Sequence, residues 1–229
     1  GIGNVGKIAV EYLIDKLKMI KMVDIVSQYL PPQVFINEDG LINLAKNSIY
    51  YKKRIKDNDL IIVTGDFQGT TQEGQYELSY LILELAKEMK ASAVYTLGGY
   101  SVGKIIEHPR VLGAVSDMKM LENIKGAGVV FPKGEPGGGI VGSAGLILGL
   151  ATEVFDISSA CLMGETSGYF ADPRGAIALI QALSSLLSID VDLGDLQERS
   201  KQIEEITGKM QQEGMQPKPP GKDDLGYFG

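Results

Sequence analysis

Three aliphatic, β-branched runs leave through glycine, with helical segments interspersed, and this recurrence constrains the fold more than any other feature of the chain. Leu60-Ile61-Ile62-Val63-Thr64 exits through Gly65, Ala93-Val94-Tyr95-Thr96-Leu97 through Gly98-Gly99, and Ser158 to Met163 through Gly164. Such uninterrupted runs read as strands buried on both faces, with Leu60–Thr64 as a central one. Helical period marks Ile8–Leu17, where apolar residues fall at 10, 13, 14 and 17. It also marks the segments from Thr70 or Thr71 to Met89, from Ile140 to Phe155, and from Pro173 to about Leu187. Thr71 is a candidate N-cap, and Asp172 followed by Pro173 is a stronger one, because proline fits the first helical position. The order strand, glycine, helix is that of an α/β sandwich with a mixed or largely parallel sheet.

Shorter strands are expected at Met22–Val26, Val111–Ser116 and Gly128–Phe131. Between Gln33–Asn37 and Leu41–Leu44 lies Glu38-Asp39-Gly40, and Asp-Gly between apolar runs signals a hairpin. Ser48–Lys52 reads as its continuation into a meander, so residues 33–55 form an antiparallel excursion. The chain therefore divides into an α/β body at 1–190, an amphipathic helix at 191–213 and a tail at 214–229. Leu193, Leu196, Ile203, Ile206 and Met210 give the helix a narrow apolar stripe suited to docking on one surface. The tail carries Pro217, Pro219 and Pro220 among polar residues, a composition that predicts an extended, mobile linker.

Charge narrows the function classes. The formal net charge is −7, which argues against nucleic acid and against an anionic membrane surface as partners. The chain has one cysteine and one histidine. It therefore forms no internal disulfide, suits a reducing, cytoplasmic setting, and offers no dedicated zinc site. We expect no metal and no cofactor.

The opening Gly1-x-Gly3-x-x-Gly6-Lys7 imitates a dinucleotide fingerprint, but no strand precedes it as that motif requires. A tight turn packing a helix on the sheet is the favoured reading. Gly65, Asp66, Gly98, Gly99 and Gly138 sit at strand exits or in a glycine loop, and together they are the best case for a ligand crevice. Thr70, Thr71 and Asp66 serve equally well as helix caps. His108 reads as a surface loop residue and Cys161 as core filling. No catalytic residue is assigned.

Leu225, Tyr227, Phe228 and Gly229 differ in kind. Core packing gives no reason for aromatic residues beyond a polar linker, unless the tail folds back on the body. They read as a tethered anchor, with two aromatic rings for pockets and a terminal carboxylate for a cation.

The opening Gly-Ile-Gly-Asn-Val-Gly-Lys, the Thr64-Gly65-Asp66 exit, Leu97-Gly98-Gly99-Tyr100 and the glycine-rich stretch before Ala144-Gly145-Leu146 resemble the archaeal branch of the proteasome assembly chaperone family. These proteins are similar to proteasome assembly chaperone 2 and are also labelled ATP-grasp-like. The resemblance covers nearly the whole chain. It implies a three-layer α/β sandwich with a mixed, largely parallel sheet, similar to purine nucleoside phosphorylases. It also implies a non-catalytic homo-oligomer that binds proteasome α subunits. In that family a C-terminal hydrophobic–tyrosine–any-residue motif enters pockets between α subunits. Tyr227 takes the hydrophobic place, Phe228 the tyrosine place and Gly229 the carboxylate place. Phe228 lacks the hydroxyl, so docking carries over more directly than gate opening. The alternative is a nucleotide- or nucleoside-binding enzyme using the glycine-lined crevice.

Overall fold

The computed structural model describes residues 1–135 and 137–212, with side chains through residue 203. After a 3-10 turn at Ile2–Asn4 come α1 (Val5–Lys16), β1 (Ile20–Ile25), β2 (Val34–Ile36), β3 (Ile42–Leu44), β4 (Asn47–Lys52) and β5 (Leu60–Gly65). Then follow α2 (Gln72–Glu88), β6 (Val94–Ser101), β7 (Val111–Val115), α3 (Met118–Lys125) and β8 (Val129–Val130). The chain continues with α4 (Ser143–Glu153), β9 (Ser159–Thr166), α5 (Pro173–Leu187) and α6 (Gly194–Gln212).

β9 is the centre of the fold, and all eight of its residues are buried. It pairs in parallel with β6, from Val94↔Ser159 to Ser101↔Thr166, and antiparallel with β7, from Val111↔Gly164 to Val115↔Ala160. β8 adds in parallel to β7, giving the order β6-β9-β7-β8. Two of these three pairings are parallel.

Successive side chains of a strand point to opposite faces. Ala160 and Leu162 pack with Val5, Ala9 and Leu13 of α1 and with Ala176, Leu179 and Leu183 of α5. On the other face the Ser159 hydroxyl donates to the Leu148 carbonyl of α4 at 3.1 Å. Helices thus cover both faces, and the architecture is a three-layer α/β sandwich. α2 and α4 join through Leu83, Leu150, Ala151 and Phe155.

Local chemistry sets the helix starts. The Thr71 hydroxyl accepts from the Gly74 N–H at 3.1 Å, and the Asp172 carboxylate caps α5 ahead of Pro173. α4 starts at Ser143 rather than Ile140, because Gly142 holds φ +85° at its N-cap. α3 was not anticipated, although Asp117 caps it by accepting from the Met120 N–H at 2.8 Å.

Three sequence expectations are corrected. β5 is not a central buried strand; it pairs only with β4 in the antiparallel sheet β1-β4-β5, and every residue in it is half-buried. Its Ile62 faces the main core while Ile61 and Val63 pack with Ile49 and Leu78, so both its faces are apolar although it lies at an edge. β4 does not extend the hairpin. It lies between β1 and β5, whereas β2 and β3 pair only with each other. Finally, Gly98 and Gly99 continue β6 rather than ending it.

Leu162→Ala, in the fully buried middle of β9, is expected to cost about 2–5 kcal/mol. Ile55→Ala, at a fully exposed position, should change stability by no more than about 0.5 kcal/mol. Urea unfolding midpoints at constant m-value check both.

Candidate functional site

The N-terminal glycines set the geometry around the exits of β6 and β9. Gly3 has φ +61°, and its carbonyl accepts from the Asp172 N–H at 2.8 Å. A Cβ on Gly6 would lie 2.4 Å from the Leu97 carbonyl oxygen, and one on Gly99 would lie 2.1 Å from that of Ile2. These glycines let two backbones touch. The surface that a dinucleotide fingerprint would offer to a pyrophosphate is covered here by β6 itself.

Two carboxylates complete this region. Asp172, almost wholly buried, accepts from Thr166 Oγ1 at 2.9 Å, from the Arg174 N–H at 3.2 Å and from Arg174 Nε at 3.1 Å. One group thereby ties β9, the start of α5 and the N-terminal turn. Glu165, the residue before Thr166, is held by Arg110. The Arg110 N–H donates to Oε2 at 2.9 Å, and its guanidinium donates to Oε1 through Nε at 2.8 Å and also through Nη2. Arg110 reaches Glu135 as well, at 3.2 Å. Burial pushes the Glu165 carboxyl up, but the Arg110 donors outweigh it and hold the group below its ordinary range. The same contacts raise the Arg110 guanidinium further above its ordinary value.

Between β5 and β6 runs a cleft of about 1620 Å³. Lys7, Thr64, Gly65, Asp66, Gln68 and Tyr95 are among its lining residues. Lys7 Nζ donates to the Gly65 carbonyl at 3.3 Å and lies 3.7 Å from Asp66 Oδ1. Asp66 also accepts from the Lys46 N–H at 3.3 Å. Of the crevice residues read from the sequence, Gly65 and Asp66 meet here. Gly98 and Gly99 do not line the cleft, and Gly138 sits in a loop at φ +85° with open space beside it.

Cys161 is buried, and burial raises its thiol pKa. His108 is exposed in the loop before β7. Among the described residues no group of three or more His, Cys, Asp or Glu side chains can hold a metal ion. No described helix is long and apolar enough to cross a membrane.

Leu225, Tyr227, Phe228 and Gly229 lie outside the described residues, as does the whole segment 213–229. The helix that leads toward them is well anchored. Asp195 at its first turn pairs with Lys16, and the Tyr12 hydroxyl donates to the Asp192 carbonyl at 2.7 Å. Leu196 is buried in the main core, and Leu193 packs against it.

One surface was missed at the sequence level. In the β2–β3 hairpin the cross-strand pairs are Val34↔Leu44 and Ile36↔Ile42. Phe35, on the opposite face, stacks on Phe67 with centroids 6.0 Å apart. The four aliphatic residues face away from that stack and are exposed, Ile36 to 72% and Ile42 to 69%. The signal was present in Val34-Phe35-Ile36, a strand apolar on both faces.

The Glu165 contacts generate a pH test. A carboxyl depressed by folding contributes stability above its ordinary range, and that contribution is lost as pH falls through the range and below. Glu165→Gln is expected to lower stability by about 1–3 kcal/mol at pH 7. The difference from wild type should shrink as pH drops below about 4, which thermal melts across pH 3–7 would show.

Comparison with known proteins places this geometry. An uncharacterized protein of Methanocaldococcus jannaschii is 36% identical over 235 residues, covering 100% of this chain and 89% of that one. The crystal structure of Pyrococcus furiosus PbaB, an archaeal proteasome activator, superposes with TM-score 0.85 at 36% identity, covering 92% of this chain and 90% of that one. Pyrococcus furiosus PbaA, an archaeal homolog of proteasome-assembly chaperone, gives 0.78 at 27% identity, with 93% and 84% covered. The PAC2 family model matches residues 1–211, which takes in the glycine turn, the buried β9, its two tied carboxylates and nearly all of α6. The chain belongs to the PAC2 family.

Proposed function

We propose that this chain is a non-catalytic, cytoplasmic proteasome adaptor, an assembly chaperone or activator-like protein that binds α subunits as a homo-oligomer. The observation that carries this reading is the likeness to PbaB in both sequence and fold over 92% of the chain. The local chemistry agrees with it. The carboxylates at the exit of β9 are engaged by Arg110, Thr166 and Arg174, and the N-terminal glycines are engaged in backbone packing. Contact with the partner is assigned to Leu225, Tyr227, Phe228 and Gly229, carried beyond α6. Two aromatic side chains entering pockets supply most of the affinity of such a contact, and several tails on one oligomer raise it through effective concentration. Phe228, without a hydroxyl, favours docking over gate opening.

Deleting residues 225–229 is expected to weaken capture of proteasome α subunits by roughly 100-fold or more, with the thermal melt of the body unchanged. Undiminished capture by the truncated protein would remove the tail from the mechanism.

The cleft between β5 and β6 favours a second reading, in which the body binds a nucleotide or nucleoside. That reading expects saturable binding and a thermal shift abolished by Asp66→Ala. A flat response across a nucleotide and nucleoside panel would eliminate it.

A further inference from the structure

We propose that the outer face of the β2–β3 hairpin is a self-association surface, covered by the same face of a second copy packed antiparallel across a two-fold axis. This gives the homo-oligomer proposed above a contact surface, and it is independent of the proteasome reading.

A two-stranded hairpin is at best marginally stable in water and needs a covered apolar face. Here the inner face holds Phe35, itself 40% exposed, on Phe67, while the larger apolar set points outward. Val34, Ile36, Ile42 and Leu44 are exposed to 49%, 72%, 69% and 46%, and Leu41 at the turn is exposed to 64%. Cross-strand pairs of this kind stabilise a sheet when they are packed. Left in water, they form a patch on the order of 500 Å², as large as the largest patch on a typical monomer. Both edges of the hairpin lack a strand partner among the described residues. Such edges invite pairing with another chain.

Area and charge select a second copy as the occupant. Two such faces closing on each other would bury roughly 1,000 Å² in total, the lower bound for a specific interface. The face holds no charged residue, and its two ends differ. Glu38 and Asp39 stand exposed at the tip. At the base, Lys46 and Lys21 share the carboxylate of Asp24, at 2.7 Å and 3.0 Å, and both lysine side chains are partly exposed. Antiparallel packing sets the acidic tip of each copy toward Lys21 and Lys46 of the other. A two-fold interface requires self-complementarity of this kind.

The full-length chain is measured by light scattering after size exclusion and by sedimentation at roughly 1–100 μM, beside Ile36→Glu/Ile42→Glu. The wild type is expected to be oligomeric, and the double variant to raise the apparent dissociation constant of the hairpin contact by about 100-fold or more. Paired glutamates across one ladder also strain the hairpin itself, so Ile42→Cys/Leu44→Cys, two positions that antiparallel packing sets opposite each other across the two copies, supplies a second readout. Mild oxidation should link it into covalent dimers, while the wild type, whose Cys161 is buried, stays unlinked. A monomeric wild type, an unchanged mass distribution in the glutamate variant, or no cross-link between positions 42 and 44 would each overturn the proposal. A monomeric wild type whose glutamate variant loses α-subunit capture would assign the face to that partner instead. The tail deletion above is read by capture and this test by mass, so the two readings fail separately.

Discussion

A strand buried on both faces must have its backbone bonded inside the sheet, because water cannot reach it. β9 imposes that condition on the whole molecule. Its eight buried residues need partners along both edges, and β6 and β7 supply them. Its two faces need cover, which apolar residues of α1 and α5 provide on one side and α4 on the other. Everything else in the described chain is arranged around this strand or attached to its rim.

The polar chemistry near β9 serves the same end. Asp172 and Glu165 sit at the strand's exit, where a buried charge is tolerated only when it is paired and hydrogen-bonded. Each has its own arginine, Arg110 for Glu165 and the neighbouring Arg174 for Asp172, and the Asp172 N–H reaches back to the Gly3 carbonyl. The glycines at positions 6 and 99 let the N-terminal turn close over β6 at backbone contact distance. The exit side of the sheet is thereby occupied by the protein's own groups. The open features lie elsewhere, in the cleft between β5 and β6 and on the outer face of the hairpin.

Local signals were legible where the physics is local. Asp39-Gly40 made the hairpin turn, with Gly40 at φ +78°. Asp172-Pro173 began α5, and Thr71 began α2, because a cap needs only a side-chain acceptor a few residues before a free N–H. The burial of Cys161 followed from its aliphatic neighbours. Signals that depend on pairing misled. The run Leu60–Thr64 looks as central as Ser159–Thr166, yet one is an edge and the other the core. Both have two apolar faces, and only the position of neighbouring strands separates them.

The sequence by itself determined the class of fold, the starts of α2 and α5, the hairpin turn and the family resemblance, since these rest on short-range propensity, capping and the order of motifs. Only the tertiary structure decided that β4 joins β1 and β5, that Gly99 is covered by Ile2 rather than open to a ligand, and that Glu165 is taken up by Arg110. Each of these depends on contacts between residues distant along the chain. Local composition does not encode which of several equally apolar or equally glycine-rich segments will meet. The outward face of the hairpin belongs to the same category. Its residues were always visible as apolar, and the fold alone shows that nothing within the described chain covers them.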